Sequence, residues 1–136
     1  MKNKELIGIC VIVFIIIGSL IWWNVATSII KIPPSEVSKI EIFDGNTGKE
    51  AIITDVTDIE HIIENLNAVS IKKEKISLGY MGYSFRTTIY KTDGTVYKKF
   101  IINSSNIIRK DPFFYQVRSE SIDYNYIQKL IDNKAK

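Results

Sequence analysis

The sequence predicts an α+β fold: an N-terminal transmembrane helix followed by a small domain with an antiparallel sheet and two helices packed on it. Three observations carry this. An uncharged apolar run extends from Leu6 to Trp23. Several short alternating segments are separated by turn signals such as Asp93-Gly94. Two later segments place their apolar residues at helical spacing.

The run comes first. Of its 18 residues, 12 are Leu, Ile, Val or Phe, and together they favour insertion into a bilayer by roughly 4 to 7 kcal/mol. Continued to Ile29-Ile30, it is long enough to cross the ~30 Å hydrocarbon core. Lys2 and Lys4 precede it, so the N-terminal tail is expected to stay in the cytoplasm and the domain to lie outside. Trp22-Trp23-Asn24 reads as the interfacial belt on the outer side. A cleaved signal peptide is the rival, with Ala26-Thr27-Ser28 as the small residues a peptidase would accept; the length of the run and the isoleucines after it favour retention. The expected organisation is an anchor over residues 1–30, a Pro-containing linker over 31–36 that lifts the domain off the membrane, and a domain over 37–136.

Within the domain, Ile40–Phe43 and Ala51–Thr54 flank the turn Asp44-Gly45-Asn46-Thr47-Gly48 and read as a hairpin. Ile59, Ile62, Ile63 and Leu66 then form one apolar stripe, capped by Asp55 or Thr57. Ser70–Ile76 is an edge strand or a loop, its lysines guarding an exposed edge. Tyr83–Tyr90 and Val96–Ile102 surround Asp93-Gly94 as a second hairpin, with Tyr83, Phe85 and Ile89 on one face and Ser84, Arg86 and Thr88 on the other. Asn106–Lys110 and Phe113–Val117 supply two more extended segments. Ser121 is placed to cap a last helix carrying Tyr124, Ile127, Leu130 and Ile131.

Bulk composition narrows the function classes. Lys and Arg number 18 against 15 Asp and Glu, a net charge of +3 with the signs mixed, so no nucleic-acid partner is implied. The one cysteine, Cys10, sits in the apolar run without the small residues that precede a lipid-attachment cysteine. It reads as an apolar filler, and the domain is left without a disulfide, a thiolate metal site or a cysteine nucleophile. Ile outnumbers Leu by 27 to 5, a bias of A+T-rich coding that points to a low-GC bacterial source.

No catalytic or metal constellation stands out, and no cofactor is implied. His61, the single histidine, is two residues from Ile59 on the first domain helix and is expected on its solvated side. No serine lies in a G-x-S-x-G turn. Asp55, Asp58, Glu60 and Glu64 are explained by helix capping and solvation. Gly79-Tyr80-Met81-Gly82 lacks the lysine and spacing of a phosphate loop. The aromatic residues of the second half are the most suggestive feature. Tyr80, Tyr83 and Tyr115 are the candidate partner-binding residues, because tyrosine beside arginine and lysine is a composition favoured at protein-binding surfaces.

Lys39–Glu50, Ile53-Thr54-Asp55 and the Ile59–Leu66 helix, with Gly82-Tyr83-Ser84-Phe85 and Thr92-Asp93-Gly94-Thr95 further on, resemble small membrane-anchored or secreted extracytoplasmic proteins of low-GC Gram-positive bacteria that carry no assigned activity. The resemblance brings no functional residues. The expectation is therefore a non-enzymatic, membrane-tethered domain that holds the bilayer through residues 6–30 and binds a protein or peptide outside the cell. Two other readings stay open: a secreted inhibitor or immunity-type protein released near Ala26, and a cell-envelope hydrolase whose carboxylates the sequence does not single out.

Overall fold

The computed structural model describes residues 2–135 of the chain. The apolar run forms α1, Asn3–Asn24, 22 residues and thus about 33 Å long. This helix is long and apolar enough to cross a membrane, and none of its residues is buried against the rest of the chain. A retained anchor and a signal sequence share these properties.

The domain is α+β: one antiparallel sheet of eight strands with two helices. The strands are β1 Thr27–Ser28, β2 Val37–Asp44, β3 Glu50–Ile53, β4 Ser70–Ile76, β5 Phe85–Lys91, β6 Val96–Ile102, β7 Ile107–Lys110 and β8 Phe113–Val117. The helices are α2 Val56–Ala68 and α3 Tyr124–Lys134, and a 3-10 turn covers Pro34–Glu36. Across the sheet the order is β1-β4-β8-β7-β6-β5-β2-β3.

Local chemistry explains the elements. In α2 the stripe Ile59, Ile62, Ile63 and Leu66 is buried, and the Asp55 carboxylate caps the helix by accepting from the amides of Thr57 and Asp58. The cap of α3 is Asp123, not Ser121: Asp123 accepts from the Tyr126 amide, while Ser121 lies outside the helix. Its side of Ile127, Leu130 and Ile131 is buried as the spacing predicts, and Tyr124 stacks on Phe85 with ring centroids 4.4 Å apart. The Asp93-Gly94 turn has Gly94 at φ 84°, and Asp93 accepts from the Thr95 amide and hydroxyl.

One face of the sheet carries Ile40, Ile42, Phe85, Ile89, Ile102 and Ile108 into the core beneath the helices. The opposite face is open to solvent. Along β5 the two sets alternate, so Phe85 and Ile89 are buried while Arg86 is exposed.

Three expectations are corrected or narrowed. The segment after α1 is not a spacer: Ile29, Ile30 and Ile32 are core residues, Lys31 donates its amide to the Tyr97 hydroxyl, and the Asn67 amide group clasps Ile32 from both sides. Far from standing off, the domain packs against the end of α1, where Trp22 and Trp23 both meet Phe113 edge to face. Secondly, β4 is a strand whose edge is partly covered: β1 pairs with Ser70 and Ile71 alone, and Lys72–Ile76 has a strand neighbour only on the β8 side, as expected of an edge. Thirdly, Tyr83 precedes β5 and its ring turns to the open face, against Phe43 and Arg86, instead of joining Phe85 and Ile89.

Strand direction orders the molecule. Thr27 pairs with Ile71 and Ser28 with Ser70, so β4 runs back toward the end of α1. The Ile76 end of β4 and the β7–β8 turn therefore lie at the α1 end, while the β6–β7 loop lies at the far end.

Candidate functional site

The three tyrosines singled out from sequence do not form one patch. Tyr115 lies within β8 on the helix-covered face, partly buried against the core, and burial raises its phenol pKa. Tyr80 stands at the α1 end, edge to face with Phe114 at 5.0 Å, with the Lys75 ammonium 5.1 Å from its ring. Tyr83 alone sits well up on the open face.

There Tyr83 is part of a cluster. Its ring centroid is 6.3 Å from that of Phe43, and the Arg86 guanidinium lies 5.1 Å from both rings. The sheet register builds this contact: Phe43 and Arg86 are direct cross-strand partners on β2 and β5. Gly45 admits the Tyr83 ring, because a Cβ at Gly45 would lie 2.5 Å from the Tyr83 carbonyl oxygen and 2.7 Å from its Cε2 atom. The Gly45 amide donates to the Ser84 carbonyl at 2.8 Å, and Ser84 is tied to Asn103. The arrangement is thus held by backbone on two sides.

The electrostatics of the open face are uneven. Lys39 is engaged by Glu41 at 2.6 Å, and this contact, with the Tyr90 hydroxyl behind it, holds the Glu41 carboxyl below its usual range. Arg109 is engaged by Asp111 at 2.8 Å. Among the described residues, no carboxylate lies within ion-pair distance of Arg86 or Lys99. Beside the aromatic pair the Arg86 guanidinium is thus without an ion-pair partner, whereas Lys99, opposite Thr88 in the next row, lies close enough to Glu41 to help lower its pKa.

Arg86 and Phe43 were not singled out in the sequence, although the signal existed. Arg86 falls on the polar phase of β5, and Phe43, next to last in β2, is out of phase with Ile40 and Ile42. Only the cross-strand register brings them together.

Two other features gather polar side chains. An open cleft of about 710 Å³ at the far end is lined by Asn65, Asn103, Ser104, Ser121, Asp123 and Asn125 among others. Its polar groups are mostly engaged in holding loops: Asn65 bridges Ser121 and Asp123, Asn103 holds Ser84, and the Ser104 hydroxyl accepts from the amides of Asn106 and Ile107. The second feature surrounds His61, which is not simply solvated. Its Nε2 lies 2.9 Å from an Asp123 carboxylate oxygen, and its ring stacks on Tyr126 at 3.9 Å. Beside it Asp58 accepts from the Tyr126 hydroxyl at 2.7 Å and pairs with Lys134. The Lys134 contact and then the Tyr126 hydroxyl lower the pKa of Asp58, and the Asp58 carboxylate pushes that of Tyr126 up to about 12. A tyrosine shifted upward is a poor base or nucleophile near neutral pH. The network ties α2 to α3. Among the described residues, no group of three or more His, Cys, Asp and Glu side chains is placed to hold a metal ion.

No protein-family model matches the chain, and neither a curated protein nor a solved structure matches it.

Proposed function

We propose that the chain is a membrane-tethered binding domain, held by α1 with the domain outside the cytoplasm, that takes an acidic protein or peptide on its open sheet face. The observation that carries this reading is the cluster of Tyr83, Phe43 and Arg86: two rings beside a guanidinium with no carboxylate within ion-pair distance, on a rigid sheet. Tyrosine and arginine anchors dominate the energetics of protein interfaces, and unpaired cations select acidic partners. The helix supports the tether, since its exposed apolar length matches a bilayer. The reading assigns no catalytic role, because His61 and its neighbours act as a brace between helices.

A photo-crosslinking residue in place of the exposed Lys99, two residues along β6 from the cross-strand partner of Arg86, tests the site in the full chain in its own membranes. A discrete adduct is expected there and not at Lys129 on the exposed side of α3. Adducts indistinguishable between the two positions would remove the open face as the binding site.

A second reading has one observation in its favour. Cleavage near Ala26 would leave Ile29, Ile30 and Ile32 in the core, so a released domain would keep its fold and act as a secreted binder or inhibitor.

A further inference from the structure

The turn between β4 and β5 is apolar where it has no need to be. Ile76, Leu78, Tyr80 and Met81 are 55, 69, 51 and 91% exposed, and all lie within six residues. Ser77 and Tyr80 close the tight turn through a backbone hydrogen bond of 3.2 Å, with Gly79 at φ 86°, so Leu78 and Gly79 form its tip. The Ser77 side chain donates to Asp111 and its amide to the Pro112 carbonyl, which fastens the turn to the β7–β8 turn. A firmly held turn that exposes this much apolar surface calls for something to cover it.

Its place in the fold says what that is. Ile76 is the cross-strand partner of Phe113, and Phe113 is the ring that Trp22 and Trp23 grip at 5.8 and 5.6 Å. Strand β4 runs toward α1 and the turn follows Ile76, so it lies at the α1 end of the sheet, next along the chain from the Ile76–Phe113 pair that the two indoles meet. Tryptophans at the end of a spanning helix mark the headgroup level. A turn at or below that level is within the lipid interface. The charges agree: Lys73 lies 3.9 Å from the Trp22 ring, Lys75 flanks Tyr80, and Lys110 precedes the neighbouring turn, a set of cations that suits anionic headgroups.

We propose that the Leu78–Met81 turn inserts into the headgroup–acyl boundary of the same membrane that α1 spans, as a second and peripheral contact. Together with α1 it fixes how the domain leans, and it holds the sheet edge against the bilayer with the far-end loops directed away. The inference rests on the reading of α1 as a membrane anchor.

The test uses the full chain in vesicles of phosphatidylcholine and phosphatidylglycerol. An environment-sensitive fluorophore is placed at native Cys10, or in a Cys10→Ser background at Leu78→Cys, Met81→Cys or Asn106→Cys. The exposure of Leu78 and Met81 makes both substitutions compatible with folding. Dyes at Cys10, Leu78→Cys and Met81→Cys are expected to emit in the blue and to be quenched by lipid-borne nitroxides, Cys10 by those deep in the acyl chains and the turn by those about 5–10 Å below the surface, while Asn106→Cys stays water-like. An unquenched Cys10 would overturn the anchor itself. Quenching at Cys10 with water-like emission at positions 78 and 81 would overturn the inference alone. Blue emission there without lipid quenching would place a protein, not lipid, over the turn and overturn it equally.

Discussion

His61 Nε2 and a carboxylate oxygen of Asp123 lie 2.9 Å apart, while the other Asp123 oxygen caps α3 by accepting from the Tyr126 amide. One side chain thus starts α3 and joins it to α2, and the His61 ring completes the joint by stacking on Tyr126 at 3.9 Å. The two helices cover the core face of the sheet, so this joint sets how tightly that cover closes.

The joint is measurable by a double-mutant cycle. Both partners are more than a third exposed, at 44 and 43%, so solvent screens the ion pair and most of the loss at Asp123 is the cap. Asp123→Ala is expected to cost about 1–2 kcal/mol. His61→Ala costs about 1 kcal/mol through the lost stacking and hydrogen bond, and the pair couples by about 0.5 kcal/mol. Additive losses in urea melts would show that the contact carries no energy of its own.

The neighbouring network makes stability depend on pH in two windows. The folded pKa of Asp58 is lowered, chiefly by Lys134, so its contribution is present above the unfolded carboxylate value and is lost as pH falls through the folded one. The folded pKa of Tyr126 is raised from 10.0 to about 12, so its contribution is present below 10 and disappears as pH rises toward 12. Asp58→Asn should flatten both limbs of the stability–pH profile, since it removes one group and the cause of the other's shift. A profile unchanged at either limb would assign that limb to other residues.

The two faces of the β2–β3 hairpin provide an internal control for the core. Ile53 is fully buried and Ile52 is 52% exposed on the open face. Ile53→Ala is expected to lower stability by about 2–5 kcal/mol and Ile52→Ala by about 0.5 kcal/mol or less. Similar losses at both positions in denaturant titrations would mean the open face is covered in solution.

Elements set by local pattern were legible in the sequence. The α2 stripe, the Asp93-Gly94 hairpin and the apolar run each follow from residues close along the chain, whose spacing alone determines the face they present. Whatever depended on partners far along the chain was not. His61 looked solvated because Asp123 is 62 residues away. The Lys31–Ser35 segment looked like a linker because Asn67 and Tyr97, which hold it, belong to other elements. The placement of the candidate residues was hidden for the same reason: Tyr80, Tyr83 and Tyr115 share a composition, yet the strand phase puts Tyr115 on the other face from Tyr83.

The last prediction concerns the open-face cluster. If Tyr83 and Arg86 are binding anchors, their truncation leaves the fold standing and removes the partner. Arg86 is exposed, so Arg86→Ala should melt within about 0.5 kcal/mol of the parent chain. Recovery of the crosslinked partner should nevertheless fall, corresponding to about 2 kcal/mol or more of affinity. Arg86→Glu should fall further, because it sets a carboxylate against an acidic partner. Gly45→Ala probes the same site from beneath. The added methyl would meet the Tyr83 carbonyl at 2.5 Å and its ring at 2.7 Å, so Tyr83 must move, at a cost of about 1–3 kcal/mol in stability. A repositioned Tyr83 should lose the partner even though every binding side chain is still present. Tyr115→Ala is the contrast. That ring packs against the core, so its removal should lower stability, and partner recovery should follow only the fraction of chain that stays folded. Full recovery by Arg86→Glu and Gly45→Ala, both folded, would place the binding surface elsewhere on the domain.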